Sequence, residues 1–148
     1  MYSREVMEFV ISSSEVMCGD EVPIVAAVAV EDEMVSHAQN QVERCKKPWY
    51  HAEFLAITDV CERLQTKYLD KASIYVNLEP CAFCASLLEK VRIKDIFFGA
   101  YDMKCGAIEN GIRLFDHSMV KPHIIGGIQE QRCSNVIKKF FEGIRKNE

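Results

Sequence analysis

Apolar residues first recur along the chain at helical spacing. Val6, Phe9, Val10 and Val16 share a face over residues 3–17, which predicts an amphipathic helix ended by Gly19-Asp20. The pattern then changes to that of a hairpin. Pro23 to Val30 is a Val- and Ala-rich run of strand length, Glu31-Asp32-Glu33 is a polar turn, and Met34 to Gln39 is the return strand. Residues 40–50 form a polar loop containing Lys46-Lys47-Pro48. From His51 to Gln65 the spacing is helical again, with Phe54, Leu55, Ile57, Val60, Cys61 and Leu64 as the expected buried face.

Ser73 to Leu78 alternates and reads as a strand. Pro80 suits the first position of a helix that runs to Val91, and Ile93 to Phe98 is a strand closed by Gly99. Residues 100–121 read as irregular, with one short helix near Ile112 to Phe115. His123-Ile124-Ile125 is a short strand. Gln129 to Arg145 is a last helix striped by Cys133, Val136, Ile137, Phe140, Phe141 and Ile144. Strands alternating with helices predict an α/β fold, helices packed on a largely parallel sheet that opens with a hairpin. No repeat or linker interrupts the pattern, so one domain over 1–148 is expected.

Composition narrows the class. Apolar residues make up 49% and charged residues 27%, the mix of a soluble globular chain. No apolar run approaches the ~20 residues that span a bilayer, and the first residues lack the apolar stretch of a secretory signal. The expectation is a cytoplasmic protein with no membrane partner. Net charge is −4, unevenly spread: residues 1–85 carry 7 Lys+Arg against 14 Asp+Glu, and residues 86–148 carry 11 against 8. A modest basic surface in the C-terminal half is compatible with that split.

Seven cysteines cannot all pair within one chain, and in a reducing compartment none need do so. Cys61, Cys105 and Cys133 are expected as buried small hydrophobes, and Cys18 and Cys45 as loop thiols. Cys81 and Cys84 stand in C-x-x-C, which suits a metal or a redox pair. His51-Ala52-Glu53 precedes them, with 26 residues between Glu53 and Pro80. One imidazole and two thiolates give zinc three protein ligands and leave a fourth position open, the arrangement of a catalytic site. Each cysteine lies in the first turn of a helix, where unpaired N–H groups favour thiolate. Glu53 is then free to move protons, because zinc lowers the pKa of a bound water from about 15.7 to about 7. His37, His117 and His123 have no ligand spacing and are expected as surface or packing residues.

H-x-E followed by P-C-x-x-C is the signature of the zinc-dependent nucleobase deaminases. The resemblance extends along nearly the whole chain. Glu21-Val22-Pro23-Ile24, Ala38-Gln39-Asn40-Gln41-Val42-Glu43, Tyr75 to Cys81, Phe98-Gly99-Ala100 with Asp102, Lys104, Gly106 and Ala107, and the closing Phe140-Phe141 resemble the bacterial tRNA adenosine deaminases. That family belongs to the cytidine deaminase superfamily. The resemblance implies a three-layer α/β/α fold with a central mixed five-stranded sheet and one Zn2+ per chain. It implies hydrolytic conversion of adenosine to inosine at the tRNA wobble position. It also implies a tRNA anticodon stem-loop as partner, and a homodimer. Asn40 would hydrogen-bond the flipped base, the N–H groups of Ala52 and Cys81 would border the reacting centre, Asp102 and Lys104 would contact RNA, and Phe140 would hold the loop around the site.

Three features depart from the family. Val25 replaces a usual Gly and is expected to tighten the base pocket or its backing. Trp49-Tyr50 replace small residues before His51, where rings either stack on nucleotides or narrow the entrance. The chain is also acidic overall. A deaminase of a free base or nucleotide (guanine, cytosine or deoxycytidylate) shares the zinc motif and needs no basic surface. The C-terminal Phe140-Phe141 and Arg145-Lys146 favour the tRNA enzyme instead. A non-catalytic RNA-binding subunit would have lost its carboxylate, and Glu53 is intact.

Overall fold

Strand alternation sends every second residue of a strand to the opposite face of its sheet. In the computed structural model, which describes residues 1–146 (Lys146 by its backbone alone), both faces of the central strands are buried. The Lys146 side chain of the Arg145-Lys146 pair thus lies outside the described residues. The elements run α1 (Arg4–Glu15), β1 (Val25–Val30), β2 (Glu33–Gln39), α2 (Val42–Cys45), α3 (Ala52–Leu64), β3 (Ala72–Leu78), α4 (Ala82–Lys90), β4 (Asp95–Ala100), a 3-10 turn (Leu114–His117), β5 (His123–Ile125) and α5 (Glu130–Lys146). The sheet order is β2-β1-β3-β4-β5.

The sheet is mixed. β1 pairs antiparallel with both β2 and β3, whereas β3–β4 and β4–β5 are parallel. The expectation of a largely parallel sheet therefore holds for the β3-β4-β5 half only. The hairpin turn is Glu31-Asp32, with φ of 52° and 65°. Two successive positive φ values match the twist of the flanking strands. Pairing shifts between Val28 and Ala29, a bulge that breaks the alternation on β2.

Helices cover both faces. On one, Val6, Met7, Val10 and Ile11 of α1 and Cys133 of α5 pack on Val25, Ala27, Ala29, Tyr75 and Phe97. On the other, Ala52, Ala56, Ile57 and Val60 of α3 and Ala85 and Leu88 of α4 pack on Ala26, Val28, Ile74, Val76, Ile96 and Phe98. The buried face of α3 is rotated from the expected one: Ala52, Glu53 and Ala56 point inward, while Leu64 is 52% exposed. Small alanines let the helix approach the sheet, so its bulkier side chains border the rim. Ser3 caps α1 by accepting from the Val6 N–H at 3.2 Å, a contact worth about 1 kcal/mol. Asn77, fully buried, accepts from the Val25 N–H and donates to the Pro23 carbonyl, which fixes where β1 begins.

The thiols sort differently from expectation. Cys133 is buried, but Cys105 is exposed and Cys61 only half-buried. Among the described residues, no helix is long and apolar enough to cross a membrane.

α5 has one deep anchor. Cys133 sits against Gly99, where an added Cβ would lie 2.3 Å from its sulfur and 2.8 Å from the Asn77 carbonyl oxygen. Beyond it the expected stripe is open: Phe141 is 44% and Ile144 42% exposed. Arg132 adds a clamp, bidentate to both Glu8 and Glu15 of α1. Gly99→Ala is therefore expected to cost about 1–3 kcal/mol in urea unfolding. A loss below about 0.5 kcal/mol would show that α5 rests on the clamp and not on this contact.

Candidate metal centre and active site

Ligands cluster where several chain ends meet. β3 and β4 finish, β1 begins and β2 ends at one edge of the sheet. In open α/β sheets that crevice beyond the strand ends is where ligands sit. His51 is the N-cap of α3 and Cys81 the N-cap of α4. Pro80 therefore lies before the cap and not at the first helical position expected for it. N-cap side chains ordinarily bond their own helix, but neither of these does. They turn toward each other instead.

His51 Nδ1 lies 3.6 Å from Cys81 Sγ and 3.4 Å from Cys84 Sγ. A tetrahedral ion with Zn–S of about 2.3 Å and Zn–N of about 2.0 Å needs sulfur and nitrogen about 3.5 Å apart. The donor set thus has the spacing of a zinc site, with Nδ1 as the His51 ring nitrogen that faces both sulfurs. These three form the only such His/Cys/Asp/Glu group among the described residues. His37, His117 and His123 are exposed, as expected.

The site's electrostatics favour metal capture. Contact with the Cys84 thiol and then with His51 holds the Cys81 thiol down to about 4 against the opposing effect of burial. The same contact with Cys81, and then burial, drives the Cys84 thiol up. The Cys81 contact likewise raises the His51 ring above its usual range. These contacts favour thiolate at Cys81, and an ion held by both sulfurs would displace the proton of Cys84. Glu53 is 4% exposed and faces the same cavity. Burial is the main cause of its raised pKa, with the Cys81 charge adding to it. A carboxyl so placed can hold a proton and release it, which is what acid–base transfer needs.

Asn40, 6% exposed, has one orientation. Its Oδ1 accepts from the Ala52 N–H at 2.8 Å, so Nδ2 is left to donate toward the cavity. Asn40 also supplies the acceptor that His51 does not give to α3. Ala52 is fully buried and its N–H is engaged by Asn40.

The cavity is about 760 Å³. Asn40, His51, Glu53 and Cys81 line it at the metal end, and Ile137, Lys138, Phe141 and Arg145 of α5 line it further out. Asp102 and Lys104 lie on its rim, where Asp102 Oδ1 accepts from the Lys104 and Cys105 N–H groups. Phe140 does not line this cavity. It borders a second groove with Ser14, Glu15 and Pro23, and Phe141 takes the cavity side. Adjacent residues on a helix point about 100° apart, so only one of the pair can face the site. Val25 is buried against α1 on the opposite face of the sheet, and Val22 and Ile24 line the cavity instead. Val25 therefore does not tighten the pocket. Trp49 stays 47% exposed, edge-on to Tyr50, and neither ring lines the cavity.

Sequence reading missed Phe141 as a lining residue and gave Glu79 no role. Helical phase against Cys133 could have separated Phe141 from Phe140. For Glu79, the signal was a carboxylate wedged between an apolar strand and Pro80-Cys81.

Residues 3–100 match the family described as the cytidine and deoxycytidylate deaminase zinc-binding region. A tRNA-specific adenosine deaminase of Rickettsia bellii is 39% identical over 131 residues, 85% of this chain and 90% of its own. One of Aquifex aeolicus is 37% identical over 128 residues, covering 86% and 85%. A solved structure from studies of A-to-I editing by tRNA:A34 deaminases superposes with a TM-score of 0.85 at 30% identity, covering 90% of this chain and 99% of that one. A guanine deaminase from Nitrosomonas europaea shares the fold alone, with a TM-score of 0.72 at 16% identity over 92% of this chain and 80% of that one. With the zinc-spaced triad, a buried Glu53 and matches along most of its length, the chain belongs to the tRNA-specific adenosine deaminases of the cytidine and deoxycytidylate deaminase family.

Proposed function

We propose that this chain deaminates adenosine to inosine at the wobble position of tRNA, as a cytoplasmic, single-domain homodimer holding one zinc ion per chain. The observation that carries this reading is the joining of two features in one cavity. His51, Cys81, Glu53 and Asn40 share a space that continues to the side chains of α5, and the buried Cys84 reaches His51 from behind it. At about 760 Å³ the cavity is in the range that takes a whole drug-sized ligand, more than one flat base requires. Lys104, Lys138 and Arg145 all line it and suit the phosphates of nucleotides on either side of the target.

Zinc, held by His51 Nδ1 and the two sulfurs, would polarise a water for attack on the amino-bearing carbon. Glu53 would take one proton from the attacking water and pass it to the ring nitrogen, then carry the proton of the added hydroxyl to the amine, which leaves as ammonia. Asn40 Nδ2 donates to the base and sets its orientation. Water is consumed and one ammonia is released per inosine formed. The exposed rings of Trp49 and Phe83, with Tyr50 and Phe54 packed between them, give an apolar face suited to a second copy.

The deciding assay measures inosine in a tRNA transcript with adenosine at the wobble position. Glu53→Gln is expected to lower kcat by about 10²–10⁴ and keep its zinc. Ammonia from free guanine, cytosine or deoxycytidylate, with no inosine in tRNA, would move the activity to free bases or nucleotides.

Metal analysis is expected to give one zinc per chain, lost in Cys84→Ser. Removal of the ion should lower thermal stability, and restoring it to 100 times its Kd should return about 2.7 kcal/mol. A fully loaded Cys84→Ser protein would refute the ligand assignment.

The raised pKa of Glu53 has a sign that can be checked in metal-free protein. As pH rises past the usual carboxylate range, the unfolded chain releases this proton and the folded chain retains it. Glu53 therefore costs stability as pH rises through that interval. Glu53→Gln should raise the melting temperature, and by more at pH 8 than at pH 5. An equal gain at both values would sink the assignment of a raised pKa.

A further inference from the structure

Glu79 is 2% exposed and has no place in the chemistry above. Its carboxylate accepts five hydrogen bonds, all from one irregular stretch. Oε1 takes the Asp102 N–H at 3.0 Å and Asn110 Nδ2 at 2.7 Å. Oε2 takes the N–H groups of Ile108 at 3.1 Å, Glu109 at 2.8 Å and Asn110 at 3.0 Å. An ionised carboxylate is acceptor-only, with about four lone-pair sites, so it suits such a cradle. A side-chain amide has one acceptor oxygen and would turn its own N–H groups on the donors.

The same stretch forms part of the cavity rim through Asp102, Met103, Lys104 and Cys105. It is also fastened beside Glu79 to the backbone that carries a metal ligand. The Glu79 N–H donates to the Ala100 carbonyl, the Ala107 N–H donates to the Pro80 carbonyl, and Cys81 bridges to Gly106. Gly106 packs so closely that an added Cβ would lie 2.5 Å from the Glu79 carboxyl. With little regular structure between Tyr101 and Arg113, these bonds are what give the rim its shape.

We propose that Glu79 is a positioning residue, whose cradle of N–H groups holds the 102–110 rim at a fixed place relative to Cys81 and so sets how substrate is received. The rim touches substrate outside the reacting atoms, so the effect falls on binding more than on chemistry. For its activity readout the proposal rests on the tRNA deaminase reading.

The test uses the zinc-loaded full chain carrying Glu79→Gln. Amide exchange at Asp102, Ile108, Glu109 and Asn110 should accelerate about tenfold or more, while amides of β3 and α4 keep their protection. KM for an anticodon stem-loop should rise about tenfold, with kcat within about twofold. Asn110→Ala removes one of the five donors and should shift both readouts less, in the same direction. It also serves if Glu79→Gln fails to fold. Unchanged loop exchange in either folded variant overturns the proposal. So does exchange that accelerates equally through β3 and α4, which marks a merely structural carboxylate. If the wild type forms no inosine, the function reading fails by itself, and the exchange measurement, which needs no substrate, still decides the role of Glu79.

Discussion

The His51 nitrogen must stand about 3.5 Å from each of the sulfurs of Cys81 and Cys84 for one ion to fit among them, and the rest of the molecule is arranged to meet that demand. Two helices must begin at one place, so β3 has to end beside the start of α3. The antiparallel pairing of β1 with both β2 and β3 brings Asn40, at the end of β2, to the same edge. His51 and Cys81 spend their cap positions on the metal site, and Asn40 supplies the acceptor missing at α3. One asparagine thus completes a helix and leaves its Nδ2 free to face the cavity. Deleting it disturbs both, because the Ala52 N–H it serves is buried.

Much of this was legible in the chain. The hydrophobic pattern located every strand and the long helices, since strand and helix periods differ. The grouping of His51, Cys81 and Cys84 with Glu53 beside them was legible because metal chemistry asks for particular residues at particular spacings. Several of the errors share a cause, the phase of a side chain within an element. α3 buries Ala52, Glu53 and Ala56 because small side chains on that face let the helix approach the sheet, whereas a hydrophobic count favours Phe54 and Leu64. Phe140 and Phe141 differ by one helical step and enter different grooves. Val25 and Ile24 differ by one residue, and only Ile24 lines the cavity. Periodicity gives a face, and only packing says which neighbour that face meets.

The overall acidity of the chain is compatible with an RNA substrate once charge is placed in space. Lys104, Lys138 and Arg145 line one cavity beside Glu21, Glu43 and Glu142, and the Glu21 carboxylate is engaged by the Glu43 and Arg44 N–H groups. Several acidic residues are committed elsewhere: Glu8 and Glu15 grip Arg132 and brace α5, and burial of Glu79 inside the rim removes its carboxylate from the surface. Net charge averages over positions that a phosphate never approaches.

Two buried glutamates show how one residue type is given opposite work. Burial raises the pKa of Glu53, and its own N–H and the Cys84 thiol offset that only in part. Burial also pushes Glu79 upward, but the bonds from Asn110, Asp102 and Glu109 outweigh it and leave that carboxyl below its usual range. A group with a raised pKa can hold a proton and release it; a group with a lowered one stays a fixed anion. Exchanging the environments would exchange the roles. The cradle of backbone N–H groups, which the residue type alone does not specify, therefore decides which glutamate can hold and release a proton and which stays a fixed anion.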